Sequence, residues 1–431
     1  MKVAFYTLGC KVNLYETQAV LNSFKNKNYE IVAFEDKADI YVINTCTVTH
    51  MSASKSRKII RSAIKKNEDA IVVVMGCYAQ MNSSDVKEML GVNIVVGTND
   101  RNKIVSLVEE YIKTKQNVNI VGNIDDIPFE DMEVSFLEGK TRAFVKIEDG
   151  CNNYCSYCII PYTRGSVRSK KKDLVLKEIT NLVSNGYREV VLTGIHTGNY
   201  GSDFKDYTFA NLLSEVIKIK GLERLRISSI EITELNDDVL DILKNSKVIA
   251  NHLHIPLQAG SDDILVAMNR KYNKEYFRNK INQIRLIRND IAITTDVIVG
   301  FPGESDAHFK ETYDFIKEIG FAGLHVFPYS KREGTKAATM DNQIDKMVKK
   351  DRVHQLMKLS LELERNYMMA FKDKTVSFIA ETYENGYLIG HSSNYLKIKA
   401  LGEEHNIGCM LTATIKKIEY PYCIATIIKH N

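Results

Sequence analysis

From Arg142 onward, six short apolar segments recur at intervals that leave room for a helix between neighbours: RAFVKIED, REVVLTG, ERLRISS, NHLHIPL, ITTDVIVG and GLHVFPY. Parallel strands need crossover connections of this length, and in one sheet such crossovers share a hand. Six strand–helix units in succession predict a partial, TIM-like (β/α)₆ barrel. A long Lys- and Met-bearing helix, about 344–371, closes the region, which spans 141–371.

Residues 1–115 carry a shorter version of the same rhythm. VAFYTLG, DIYVINT, AIVVVMG and NIVVG read as strands of an open parallel sheet with helices between them. Residues 116–140 hold the acidic stretch NIDDIPFEDMEVSFLEG, have little periodicity and read as a linker. From 372 to 431, TVSFIAETYENG, YLIGHSSN, YLKIKALG, CMLTATIKKIEY and CIATIIKH alternate with Gly, Asn and Pro turns, the pattern of a small β-barrel. The expected fold class is α/β, with an open parallel sheet, a partial barrel and a terminal β-barrel.

Apolar residues make up 44% of the chain and charged residues 26%, which is ordinary for a globular protein. No apolar run approaches the ~18 residues of a membrane span. The opening MKVAFYTLGC lacks the pattern of a secretion signal. A cytoplasmic enzyme without a membrane partner is expected, and its eight cysteines should then stay reduced. Clustered cysteines in that setting suggest metal binding or catalysis.

Cys151, Cys155 and Cys158 form such a cluster, CNNYCSYC, just after the first barrel strand. That is the carboxyl-end face, where barrels of this kind build their sites. Structural zinc would need a fourth ligand or paired CxxC motifs, and neither is nearby. Three thiolates suit a 4Fe–4S cluster with one iron left open. CxxxCxxC resembles the signature of the radical S-adenosylmethionine (SAM) superfamily, and Tyr157 is the aromatic expected between its last two cysteines. The resemblance implies that SAM chelates the open iron and that an electron cleaves it to a 5′-deoxyadenosyl radical. Candidate SAM contacts follow later strands in barrel order: Gly194 in VLTGIHTG, Ser228, Glu231, and Gln258 in HIPLQAG, with DVIVGFPGE beyond.

Cys10, Cys46 and Cys77 lie far apart in sequence, but each ends a predicted strand: YTLG-C, VINT-C and VVMG-C. The carboxyl ends of parallel strands share one edge, so the three are expected to converge there and hold a second cluster. Its open iron could carry an exogenous sulfur atom. Cys409 and Cys423 read as packing residues.

The order of these elements resembles the methylthiotransferases, radical SAM enzymes that insert sulfur into a C–H bond and methylate it. GCKVNLYETQ, NTCTVT, MGCYAQ, CNNYCSYCIIPYTRGSVRS, HLHIPLQAGSDDIL and MNRKY carry the resemblance along the chain. The terminal module, with GHSSNY, resembles a TRAM domain, a small RNA-binding barrel. One departure is Ala259, where the family usually has Ser. The resemblance implies two 4Fe–4S clusters, two SAM molecules per turnover, an electron donor of flavodoxin or ferredoxin type and a sulfur source it does not specify. GCKVNLYE resembles the branch acting on N6-threonylcarbamoyladenosine next to the anticodon in tRNA. Other branches act on isopentenyladenosine in tRNA or on a ribosomal-protein aspartate. A reading from another class is a non-catalytic iron–sulfur RNA-binding protein, whose irons would all be protein-ligated.

An anticodon stem-loop needs a basic surface. Lys55, Arg57, Lys58, Arg61, Lys65 and Lys66 share one predicted helix, and Arg164, Arg168, Lys170, Lys171 and Lys172 follow the cysteine run. Lys397, Lys399, Lys416, Lys417 and Lys429 lie in the terminal module, with Tyr395 and Tyr420 as possible stacking faces. Arg164, Arg168, Lys397 and Lys399 are the leading candidates for RNA contact.

Overall fold

The protein is described here by a computed structural model. It covers residues 1–125, 127–136 and 139–430. Asp126, Leu137 and Glu138 of the expected linker, and the side chain of Lys429, lie outside the described residues.

The first sheet has six parallel strands, in the order Glu30–Val32, Lys2–Thr7, Ile40–Thr45, Ile71–Gly76, Ile94–Val95, Val118–Asn119. Ile40–Thr45 and Ile71–Gly76 are buried along their whole length, as strands covered on both faces must be. The strand order reverses between Lys2–Thr7 and Ile40–Thr45. In open α/β sheets the crevice at such a reversal, beyond the carboxyl ends, is where ligands bind. Two strands were not legible in sequence. Glu30–Val32 and Val118–Asn119 are three and two residues long, too short to show alternation.

The six barrel strands are Arg142–Lys146, Glu189–Thr193, Arg224–Ile227, His252–His254, Ala292–Val299 and Gly323–Pro328. They form two parallel three-stranded sheets, joined by bridges between Leu225 and Ile249 and between Ser229 and His254. Helix Lys346–Met369 packs on the last strand, where the Leu324 amide donates to Ser360 Oγ at 3.1 Å. The terminal module is a closed five-stranded barrel, with Cys423 in its core and Cys409 exposed.

The segment expected as a linker is more than a tether. Val118–Asn119 extends the first sheet, and Met132 and Val134 are buried in the core of the central barrel. Helix Lys11–Asn26 joins the same two bodies. Val20 and Phe24 pack on its own sheet, whereas Tyr15 and Ala19 enter the barrel core. Tyr15 Oη donates to Met132 O at 2.5 Å and bonds Glu178 at 2.9 Å. The terminal barrel is fastened by arginines. Arg224 and Arg226 share Glu189 at 3.0 and 2.9 Å and donate to backbone oxygens of Ser377, His391, Ser392 and Ser393. No helix among the described residues is long and apolar enough to cross a membrane.

Candidate active site between two cysteine groups

Cys10 caps the amino end of helix Lys11–Asn26, Cys46 follows Ile40–Thr45, and Cys77 opens the short helix Cys77–Met81. All three sit at the carboxyl edge of the first sheet, beside its reversal point. Gly76 makes the turn into Cys77 possible. Its φ is +94°, and a Cβ there would lie 2.3 Å from Asn44 Oδ1 and 2.8 Å from Thr45 O. Arg164 Nε donates to Cys77 Sγ at 3.3 Å, and its Nη2 donates to Asn13 Oδ1 at 2.8 Å; Cys10 Sγ lies 3.7 Å from that same oxygen. Desolvation raises all three thiol pKa values, and Arg164 opposes it at each.

The second group lies on the loop after the first barrel strand. Gly150, at φ +87°, precedes Cys151, and a Cβ there would fall 2.0 Å from Ser166 O. The segment Ala267–Arg270 holds the loop from outside. Ser156 bonds the oxygens of Met268 and Ala267 at 3.1 and 2.8 Å, and Asn269 Nδ2 donates to Tyr154 O at 3.0 Å. Arg270 donates to Cys155 Sγ at 3.3 Å and pairs with Glu231. Cys151 Sγ lies 3.7 Å from His196 Nδ1. Burial pushes the Cys158 thiol up to about 12. Burial opposes charge on His196, but hydrogen bonds to Cys151 and Glu234 carry its pKa up to about 11.

Between the two groups runs a buried ion network. Arg101, Lys146, Arg164 and Arg168 face Glu16, Glu130 and Asp149, four cations against three carboxylates. Arg164 Nη1 bonds Glu16 and Asp149 at 2.9 Å each. Arg164 is 0% exposed and Arg168 8%, with Arg168 Nη1 donating to Arg164 O at 2.7 Å. The expectation that these two contact RNA is therefore corrected: their guanidiniums are spent on internal carboxylates and carbonyls. Lys170 is likewise buried, 2.6 Å from Glu178, while Lys171 and Lys172 stay exposed. Arg164→Met should strip Glu16 and Asp149 of the guanidinium hydrogen bonds they share, while Arg101 and Lys146 still face both, and cost about 1–3 kcal/mol, read as a lower denaturation midpoint.

A cavity of about 620 Å³ joins the two domains. Cys10 and Lys11 line it from the first domain, and Gly194, Ser228, His254 and Asp296 from the barrel. Tyr395 of the terminal barrel also reaches it, stacked on His252 at 4.7 Å and lying 4.7 Å from the Arg226 guanidinium. A smaller cavity of about 170 Å³ is lined by Cys155, His196, Glu231 and Arg270. The expected SAM contacts thus divide. Gly194 and Ser228 face the larger cavity and Glu231 the smaller. Ser228 Oγ bonds Thr197 Oγ1 at 2.9 Å. A Cβ at Gly194 would sit 2.6 Å from Glu148 Oε2, so the backbone lies close there. Tyr157 is half-buried near Arg270 and Glu231. Gln258 lines neither cavity. Its backbone is tied to the neighbouring strand, its amide to Asp296 O and its oxygen to Ile298 N, both at 2.8 Å.

Several site residues were not singled out in sequence. Arg270 lies inside the flagged MNRKY stretch, but only the fold brings it to Cys155. His254, Asp296 and His325 form a compact set, each imidazole 3.2 Å from the carboxylate. Hydrogen bonds from both imidazoles outweigh burial and hold the Asp296 carboxyl well below the usual range. Among the described residues this is the set close enough to share a single ion. The cysteines are spread more widely, which suits ligands of separate irons in one cluster. On the terminal barrel, Lys397 lies over Tyr422 at 4.6 Å and Lys399 over Tyr387 at 4.5 Å, while Lys416 and Lys417 are exposed.

A partial barrel of six parallel strands with a three-cysteine loop at its carboxyl end defines the radical SAM class. The model of the radical SAM superfamily matches residues 145–316, and that of the uncharacterized protein family UPF0004 matches 2–97. Among solved structures, the radical SAM methyltransferase TsrM of Kitasatospora setae is similar in fold, with a TM-score of 0.59 at 15% identity over 78% of this chain and 77% of that one. Threonylcarbamoyladenosine tRNA methylthiotransferase MtaB of Bacillus subtilis is 47% identical over 97% of this chain and 95% of its own length. The tRNA-2-methylthio-N(6)-dimethylallyladenosine synthase of Carboxydothermus hydrogenoformans is 36% identical over 84% of each. The chain belongs to the radical SAM methylthiotransferase family. Membership implies a 4Fe–4S cluster and SAM.

Proposed function

We propose that this protein converts N6-threonylcarbamoyladenosine, beside the anticodon of tRNA, to its 2-methylthio derivative, using two 4Fe–4S clusters and two SAM molecules per turnover. The observation that carries the reading is the shared cavity: Cys10 of one cysteine group opens onto the same space as Gly194 and Ser228 of the radical SAM barrel. The 47% identity to the Bacillus subtilis relative, named for threonylcarbamoyladenosine, favours this substrate over the dimethylallyl one.

Both cysteine groups fit iron–sulfur ligation. Each offers three thiols, and each has an arginine donating to a sulfur: Arg164 to Cys77 and Arg270 to Cys155. Hydrogen bonds to ligand sulfurs and nearby charge are the protein's means of tuning such a cluster. The surplus cation of the buried network suits a neighbouring anionic centre. When bound, a cluster of this kind supplies the electron that cleaves SAM to the 5′-deoxyadenosyl radical.

In this reading Cys151, Cys155 and Cys158 hold the radical-forming cluster, and Cys10, Cys46 and Cys77 hold the one that presents sulfur. Tyr157, Gly194, Ser228 and Glu231 shape the SAM site, and the Gln258 backbone braces the strand that carries Asp296 to the larger cavity. Lys397 and Lys399, each over an aromatic face, dock phosphates of the stem-loop. The domains divide as 1–115, 141–371 and 372–431, the segment between the first two acting as a packed connection. The protein works in the cytoplasm with a flavodoxin- or ferredoxin-type electron donor. Nucleoside analysis of tRNA from a deletion strain tests the substrate. Loss of 2-methylthio-N6-threonylcarbamoyladenosine is expected; loss of the isopentenyl derivative instead would refute it.

A further inference from the structure

Lys11 stands apart from the other charged groups of the large cavity. Arg226 is paired with Glu189 at 2.9 Å. Asp296 is held between His254 and His325. Lys11 has no hydrogen bond or ion pair of its own among the described residues, though it lines the cavity directly after Cys10. Of the lysine and arginine on this wall, Arg226 has a carboxylate partner and Lys11 has none.

The two kinds of tRNA relative differ in what hangs from N6 of the adenine. A dimethylallyl group is a neutral hydrocarbon. A threonylcarbamoyl group carries the α-carboxylate of threonine. Covering an unpaired ammonium with hydrocarbon is unfavourable, and covering it with a carboxylate is favourable. Discrimination built on such a charge works against the wrong substrate as well as for the right one.

We propose that Lys11 forms a carboxylate-binding subsite that receives the threonine carboxylate of the N6-threonylcarbamoyl group, so that the residue following Cys10 selects the substrate. The inference rests on the threonylcarbamoyladenosine reading above. A backbone phosphate of the RNA would offer Lys11 the same anionic chemistry, and the test separates the two.

Cluster-loaded protein is titrated by fluorescence anisotropy against two synthetic anticodon stem-loops. They are identical except that one carries N6-threonylcarbamoyladenosine and the other N6-dimethylallyladenosine. Wild-type protein should bind the first about 10- to 100-fold more tightly, the scale of one charge-assisted contact. Lys11→Met should lose that preference while binding the dimethylallyl RNA as well as wild type does, which also shows that it is folded. Lys11→Arg should keep most of the preference. If Lys11→Met retains the preference, the subsite is wrong. If it weakens both RNAs equally, Lys11 contacts a phosphate and the subsite is wrong. If wild-type protein itself shows no preference, the substrate reading falls, and the inference with it.

Discussion

Replacing Cys155 with alanine is expected to abolish formation of 5′-deoxyadenosine from SAM. The loop offers three thiols, and a cluster that must leave one iron open to SAM has no spare ligand. Cys155 also accepts from Arg270, which pairs with Glu231 on the wall of the smaller cavity, so its loss removes a ligand and disturbs that wall together. Folding should survive, because the loop is held by hydrogen bonds of the Ser156 amide and hydroxyl and of the Asn269 side chain that do not involve the Cys155 side chain. Deoxyadenosine measured by chromatography after chemical reduction should fall to background. Persistent cleavage at the wild-type rate would show that these cysteines do not form the radical. A non-catalytic iron–sulfur protein would instead show no SAM-dependent change in the electron paramagnetic resonance of its reduced wild-type form.

The second large effect is a separation of activities. Cys46→Ala should spare SAM cleavage and stop methylthiolation. Cys46 is buried at the carboxyl edge of the first sheet, the edge that also carries Cys10 and Cys77, and not on the barrel loop. The variant should retain the iron of one cluster, make deoxyadenosine, and yield no methylthio product. Methylthiolated RNA accumulating over several turnovers would contradict a sulfur-presenting role for the first group. The paired behaviour of Cys155→Ala and Cys46→Ala distinguishes two working centres from one, since a single-centre enzyme would lose both activities in either variant.

Much of this arrangement is legible in the chain because burial on both faces writes itself as unbroken apolar runs. IYVINT and IVVVMG leave little choice of element, and parallel pairing then places Cys46 and Cys77 at one edge whatever the intervening sequence. The barrel strands declared themselves in the same way. Charge was harder to interpret. Arg164 and Arg168 look like a surface patch in sequence, since nothing local reveals that Glu16, 148 residues away from Arg164, will meet it. Pairings of that range depend on how helix Lys11–Asn26 docks against the barrel. Met132 and Val134 were hidden for a related reason: a short irregular segment has no period, although its side chains complete a core. Tyr395 shows the same limit. The sequence marks an aromatic on the terminal barrel, but only the assembled fold puts it in the cavity beside Lys11 and Cys10.

In the proposed function N6-threonylcarbamoyladenosine is methylthiolated in the cavity that brings Cys10 of the first cysteine group to Gly194 and Ser228 of the barrel. The most direct test is mass spectrometry of an anticodon stem-loop carrying that nucleoside, digested after incubation with cluster-loaded protein, SAM and reductant. The account predicts that the nucleoside gains the mass of one methylthio group. SAM cleaved to deoxyadenosine with that nucleoside unchanged, while an isopentenyladenosine stem-loop becomes methylthiolated under the same conditions, would contradict it.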